Sequence, residues 1–444
     1  MNESMPKFLV ELVHKRINLL DKKVAVLGYA FKKDTDDARD SLVPKLIRYL
    51  LRNCVDVVSV HDPLLPVARD NGLVNDSLED ALEVEQRNCG SLGFCDVGRV
   101  IFSREELINR PSVKVSSPKP RRSLVTGGAG FIGFYLAKYL VELGDEVTIY
   151  ENFSRGRRDD EFELLLRHPR VCLVQADLCR PLEVDGFFDV VFHLAAVNGT
   201  DNFYSQPVHV LRTNILSTMQ VVKWASPANC GRLVFTSSAE AYAGFIRTVS
   251  DSHKYLPTQE DITLGIDDVT NPRYSYGGSK LAGELMVINY CRSKSISWSI
   301  ACVHNVYGPR DLPEHVVPKL CQRILNRESP LVLLGALETR AFCYVEDCVK
   351  ALHLVGSQKE ADAEIFHIGS DQETRICDLA SSLLKCAESA DTPLEFRDSP
   401  LGSVSRRCPE VSKIAGLLGW KAITSLDTGL MKCWEWYSTR IAGK

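Results

Sequence analysis

An α/β fold carrying two parallel-sheet modules is predicted by three observations in this 444-residue sequence. Apolar strands run into glycine turns and then helical patterns at two places, around Gly28 and around Gly127. A further strand follows each helix, so both units read β-α-β. Between them, Ser116-Ser-Pro-Lys-Pro-Arg-Arg122 has the prolines and charges of a solvated linker.

In the first unit the strand is Lys23 to Gly28, the helix Ser41 to Arg52, and the second strand Val55 to Val60, ending at His61-Asp-Pro63. The stretch Glu85 to Arg122 has no clear periodicity and is read as the interdomain connection. In the second unit Ser123 to Gly127 is the strand, Phe131 to Leu143 the helix, and Glu146 to Tyr150 the next strand. The expected division is a partial module with its linker over 1–115 and a complete domain over 121–444.

Composition limits the function classes. With 53 Lys+Arg against 57 Asp+Glu the net charge is −4, which argues against a protein that coats nucleic acid. The basic tetrad Lys119-Pro-Arg-Arg122 is read as part of the linker. No apolar run reaches the about 18 residues of a membrane span. Residues 1–16 lack the basic-apolar-small order of a secretion signal and read as an amphipathic helix. Fifteen cysteines are scattered without C-x2-C spacing. They are expected to be free thiols in a reducing, cytoplasmic setting, with no metal site.

Thr126-Gly-Gly-Ala-Gly-Phe-Ile-Gly133 follows a strand and opens a helix. Gly127, Gly130 and Gly133 permit a tight turn, close approach to a pyrophosphate, and tight helix–strand packing. The helix start at Phe131 and Ile132 offers N–H groups to phosphates. Glu151, beside Asn152 at the end of the next strand, is suited to the adenosine ribose hydroxyls and would repel a 2′-phosphate. NAD is therefore expected over NADP, although Arg155, Arg157 and Arg158 just beyond could tolerate a phosphate.

Two later segments carry chemistry. Val234-Phe-Thr-Ser-Ser-Ala-Glu-Ala-Tyr242 reads as a buried strand ending in hydroxyls and a carboxylate. Ser238 and Glu240 thus lie at the carboxyl end of a parallel strand, where such sheets bind ligands. Asn271-Pro-Arg-Tyr-Ser-Tyr-Gly-Gly-Ser-Lys280 runs into a helix expected over Leu281 to Cys291. Tyr276 and Lys280, four apart, share a helix face. A free tyrosine, with a pKa near ~10, is a poor base at neutral pH. A nearby ammonium and a positive nicotinamide ring would favour its phenolate.

From about Arg122 onward the chain resembles the extended short-chain dehydrogenase/reductases that modify nucleotide sugars. The resemblance rests on the glycine turn, Ala176-Asp-Leu178, His193-Leu-Ala-Ala196, Ser238 to Tyr242, and Tyr276 with Lys280. His304-Asn-Val-Tyr-Gly-Pro-Arg310, Thr339-Arg-Ala-Phe-Cys-Tyr-Val-Glu-Asp347, and Pro409 to Lys413 before Leu418-Gly-Trp420 complete it. It implies a Rossmann-type NAD-binding half with a smaller C-terminal substrate-binding part. Asp177 and Leu178 would flank the adenine, and Ala195 and Lys280 the nicotinamide half. Asn305, Arg340 and Arg407 would reach a sugar diphosphate, where a guanidinium fork is apt.

The resemblance also implies a mechanism. Tyr276 would take the proton of the sugar 4-hydroxyl, held by Ser238, giving a 4-keto intermediate. Glu240 leans the reading toward a UDP-glucuronate decarboxylase or a dehydratase, since a carboxylate suits proton removal at C5. A 4-epimerase is the alternative, and a silent NAD-binding regulator or scaffold is the rival from another class. Ala239 departs from the acid of the deoxythymidine-linked dehydratases, and Asn198-Gly-Thr-Asp-Asn-Phe-Tyr204 resembles neither group closely. The family commonly dimerises through a four-helix bundle, to which the helix after Tyr276 would contribute. No nucleic acid or membrane partner is expected.

Residues 5 to about 84 resemble part of the UDP-binding domain of UDP-glucose and UDP-mannosaminuronate dehydrogenases, through Gly28 to Ser41 and His61-Asp-Pro63. The resemblance implies UDP contacts from Phe31 and Lys32. The catalytic and nicotinamide-binding domains of those enzymes are absent. UDP-glucose oxidation is not expected of this module, whose roles could be regulatory, oligomeric or vestigial.

Overall fold

The computed structural model describes residues 120–249, 252–399 and 403–441, with four short strands nearer the N-terminus. It divides into two units, 1–113 and 114–444. In the first, β1 (Lys23–Leu27) runs parallel to β2 (Val57–His61), with Lys23 beside Val57 and Leu27 beside His61. Parallel neighbours need a long crossover, as the β-α-β reading requires. Arg69–Asp70 (β3) and Leu73–Val74 (β4) pair antiparallel. The helix expected over Ser41 to Arg52, the amphipathic start, Phe31, Lys32 and nearly all of the linker lie outside the described residues.

The second unit is built on seven parallel strands: β5 (Arg122–Thr126), β6 (Glu146–Glu151), β7 (Val171–Gln175), β8 (Phe188–His193), β9 (Cys230–Ser238), β10 (Ser297–Val303) and, after a run of shorter strands, Glu364–Ile368. The shorter strands are β11 (Val306–Tyr307), β12 (Leu331–Leu334), β13 (Thr339–Ala341) and β14 (Cys343–Tyr344), which makes Glu364–Ile368 β15. The spatial order of the main sheet is β15-β10-β9-β8-β5-β6-β7. The chain leaves β5 toward β6 and β7, then returns to β8 on β5's other side. That reversal opens a crevice at the carboxyl ends of β5 and β8.

Neighbouring strand residues divide between two cores because side chains alternate across a sheet. Val125, Ile149, Phe192 and Val234 enter one core. Leu124, Tyr150, Val191 and Phe235 enter the other. The first core receives α1 (Phe131–Glu142). The second receives the long helices Pro207–Trp224 and Tyr274–Lys294. With both faces covered, the strands are near-continuous apolar runs, as parallel sheets require.

The C-terminal part adds small sheets. β13 lies between Glu373–Arg375 and Arg406–Arg407, and its parallel register sets Arg340 beside Arg407. Among the described residues no helix is long and apolar enough to cross a membrane.

Candidate active site

The glycine turn is shaped by contacts that forbid side chains. Gly127 adopts φ +73°, and a Cβ there would lie 2.9 Å from the Ala195 Cα. A Cβ on Gly133 would lie 2.2 Å from the Gly127 carbonyl oxygen, inside any allowed contact. The start of α1 is thus pressed against the turn, where a helix start leaves N–H groups without intrahelical partners.

Glu151 is buried at the end of β6 and ties the turn to its own strand. Its Oε2 accepts from the Ala129 N–H at 3.1 Å, and its Oε1 from Asn152 and Phe153 at 3.0 and 2.8 Å. The arginines that could have answered a 2′-phosphate are engaged elsewhere. Arg155 donates to Asn198 at 2.6 Å, Arg157 to the Asp311 carbonyl at 3.0 Å, and Arg158 to Glu163 at 2.7 Å. This arrangement fits NAD: a glycine cradle, a helix start and a buried carboxylate at the end of β6.

At the opposite end of the crevice, β9 delivers Ser238 and passes into a single turn, Ala239–Ala241, that carries Glu240. The helix bearing Tyr276 and Lys280 begins at Tyr274 rather than Leu281, so both residues lie in its first turns. Tyr276 is buried and lines the same cavity as Ser238. Its ring stacks on Phe203, centroids 4.9 Å apart. Lys280 donates to the Thr236 carbonyl at 2.7 Å, with its ammonium 5.7 Å from the Tyr276 ring centre.

The electrostatics differ from the simple expectation. Burial pushes the Tyr276 phenol well above its ordinary range, opposed by the Ser238 hydroxyl and not by Lys280. Burial also brings Lys280 down to about 8, against the pull of Glu284. The reason is geometric: the ammonium is turned to a backbone carbonyl and does not bond the phenol. A phenolate here requires an added positive charge.

Glu240 is held by two arginines. Its carboxylate takes a two-pronged contact from Arg273, at 2.8 and 3.2 Å, and a 2.7 Å ion pair from Arg407. Burial works to raise its pKa, but the charges and hydrogen bonds of Arg407 and Arg273 outweigh this and hold it at about 2. Arg407 Nη2 is buried without a hydrogen-bond partner. Beside it, Arg340 pairs with Glu338 at 2.8 Å and is lowered to about 10 by burial and by Arg407. Asn305, at φ +38°, donates to the Ala341 carbonyl at 3.4 Å.

One cavity of about 740 Å³ gathers all these groups. Gly127, Gly130, Phe131, Ile132, Gly133, Glu151, Asn152, Asp177, Leu178 and Ala195 line one end of it. Ser238, Glu240, Tyr276, Lys280, Asn305, Arg340 and Arg407 line the other. Sequence reading gave no role to Arg273 or Phe203, which line it too, as does Arg155, read there only as able to tolerate a phosphate. Arg273 had a signal, three residues before Tyr276. Phe203 had none, because only the fold stacks it on that ring.

A doubly wound sheet, a glycine cradle and a Ser-Tyr-Lys group at the strand ends define a nucleotide-cofactor enzyme of the short-chain dehydrogenase/reductase type. Residues 123–369 match the NAD dependent epimerase/dehydratase family, and the chain belongs to it, with NAD as cofactor. Residues 25–87 match the UDP binding domain of the UDP-glucose/GDP-mannose dehydrogenase family. The chain is 30% identical over 325 residues to UDP-glucuronic acid decarboxylase 1 of Xenopus tropicalis, covering 72% of this chain and 73% of that protein. To the Danio rerio protein of the same name it is 29% identical over 334 residues, covering 74% and 76%. Among solved structures it resembles UDP-glucose 4-epimerase of Thermotoga maritima with UDP-glucose, at 25% identity and a TM-score of 0.62, over 72% of this chain and 99% of that one.

Proposed function

We propose that the chain decarboxylates a UDP-linked uronic acid through a 4-keto sugar. The observation that carries this reading is Glu240 clamped as an anion by Arg273 and Arg407, in the cavity that holds Ser238, Tyr276 and Lys280. A carboxylate with a pKa of about 2 is a weak base. Dehydration would need a base at C5, whereas decarboxylation needs none there. The relatives named UDP-glucuronic acid decarboxylase support the same reading.

NAD bound in the cradle would supply the hydride acceptor and a positive charge beside the phenol. Tyr276 accepts the 4-hydroxyl proton while Ser238 orients that hydroxyl, and Lys280, held by the Thr236 carbonyl, lies beside the ring. With a ketone at C4, the carboxylate on C5 is a β-keto acid. Its C–C bond breaks to release carbon dioxide, and the electron pair passes to the C4 oxygen as an enolate. That anion is stabilised by the guanidinium-rich wall of Arg273 and Arg340. A proton then returns to C5, and reduction of the ketone restores the hydroxyl through Tyr276. Arg407, with its free Nη2, and Asn305 are assigned to the diphosphate.

Purified protein given UDP-glucuronate and a panel of other nucleotide sugars should release carbon dioxide from the uronate, read by mass spectrometry. Loss of water, an isobaric product such as a 4-epimer, or no turnover would overturn the assignment. We further assign a cytoplasmic homodimer. Exposed Val208, Leu211 and Leu285 on the two long helices suit a shared bundle. Sedimentation should give a dimer that Leu285→Asp weakens.

A further inference from the structure

We propose that Cys302, His304 and His367 form a zinc site, set behind the catalytic strand ends and outside the NAD cavity. The three arise from strand geometry. Cys302 and His367 are direct partners in the parallel register of β10 and β15. His304 follows Cys302 by two residues and continues the ladder through its N–H to the Ile368 carbonyl at 2.9 Å. Side chains two apart on an extended strand share a face, so all three converge.

Their ligand atoms lie within 4.8 Å of one another, and all three residues are buried. Cys302 Sγ is 3.7 Å from His304 Nε2. Zinc bonds of about 2.3 Å to sulfur and about 2.0–2.1 Å to nitrogen put tetrahedral ligands roughly 3.3–3.6 Å apart. The sulfur–nitrogen spacing is already close to this, and ring rotation can close the rest. The His304 and His367 ring centres are 4.7 Å apart.

The surroundings prepare the ligands. His367 Nδ1 lies 3.0 Å from the Thr258 carbonyl, to which it donates, so the lone pair resides on Nε2. The Tyr242 hydroxyl is 3.3 Å from His304 Nε2. A separate cavity of about 180 Å³, lined by Cys302, His367, Tyr242 and Glu260, leaves room for water as a fourth ligand. Glu260 and Glu284 bring negative charge toward the thiol, and Lys280 and Arg407 bring positive charge from the NAD side. On binding, the Cys302 proton passes to solvent and a Zn–S bond replaces S–H. A mixed sulfur–nitrogen set selects zinc over magnesium or calcium. The ion would pin β10 to β15 one residue from Val303, the register partner of Ser238.

The test uses the full chain without a histidine tag. Titrated with zinc against a chromophoric chelator, the wild type should bind one equivalent that Cys302→Ser and His367→Gln each weaken by more than about tenfold. Cobalt substitution should give a thiolate charge-transfer band that Cys302→Ser abolishes, the other cysteines being common to both proteins. Equal zinc affinity in wild type and variants, or an unchanged cobalt band, overturns the site. Should the variants fail to fold, X-ray absorption of the zinc-loaded wild type decides. One sulfur with two imidazoles supports the site, and any other ligand set overturns it.

Discussion

Arg407 holds Glu240 through one guanidinium nitrogen, Nη1, at 2.7 Å, while its second, Nη2, is buried without a hydrogen-bond partner. The residue thus faces two ways. One nitrogen neutralises a carboxylate in the cavity that Tyr276 lines, and the other is free for an anion in the same cavity. A planar fork can do both at once, which a lysine ammonium on its flexible stem cannot do with fixed geometry.

The Arg407→Lys enzyme should therefore bind UDP-sugars less tightly. Loss of one charge-assisted bond, about 1.5–3 kcal/mol, raises KM roughly 10–100-fold. Steady-state kinetics should show KM moving more than kcat. An unchanged KM would remove Arg407 from the diphosphate.

Glu240 also couples stability to pH. Its folded-state pKa, about 2, lies below its ordinary 4.5, so its ionised form stabilises the fold above that value. This contribution, up to about 3 kcal/mol at neutral pH, is lost as pH falls from about 4.5 through about 2. Glu240→Gln should be less stable than wild type at pH 7, with the gap narrowing by pH 3. Urea unfolding at both pH values measures it, and a gap of constant size contradicts the ion-pair account.

The Gly133→Ala substitution puts a methyl 2.2 Å from the Gly127 carbonyl oxygen. Helix and turn must separate, at a cost of about 1–3 kcal/mol, and the phosphate cradle opens. Calorimetric titration should show NAD affinity falling at least tenfold, while Gly416→Ala, in open space, keeps wild-type affinity.

Replacement of Tyr276 by Phe removes the hydroxyl proposed to carry the proton but keeps the ring stacked on Phe203. The rate should fall about 10²–10⁴-fold with NAD binding retained. Retained turnover would mean that another group carries the proton.

The cofactor half was legible in the sequence because its logic is local. Gly127, Gly130 and Gly133 act within one turn, Glu151 closes the next strand, and Tyr276 with Lys280 is a helix spacing. The sheet was legible too, since strands buried on both faces read as apolar runs. Helix boundaries were less so: the start at Tyr274 is fixed by packing and by Arg273's contact with Glu240.

The sequence by itself determined the α/β class, the glycine cradle, the Ser-Tyr-Lys group and the preference for NAD. Each depends on residues within one element or at one strand end. Only the tertiary structure decided that Arg273 and Arg407 clamp Glu240, that Arg340 lies beside Arg407, and that Cys302 faces His367. Those pairings join residues far apart in the chain. Strand register and the need to neutralise buried charge bring them together, and neither leaves a local periodicity to read.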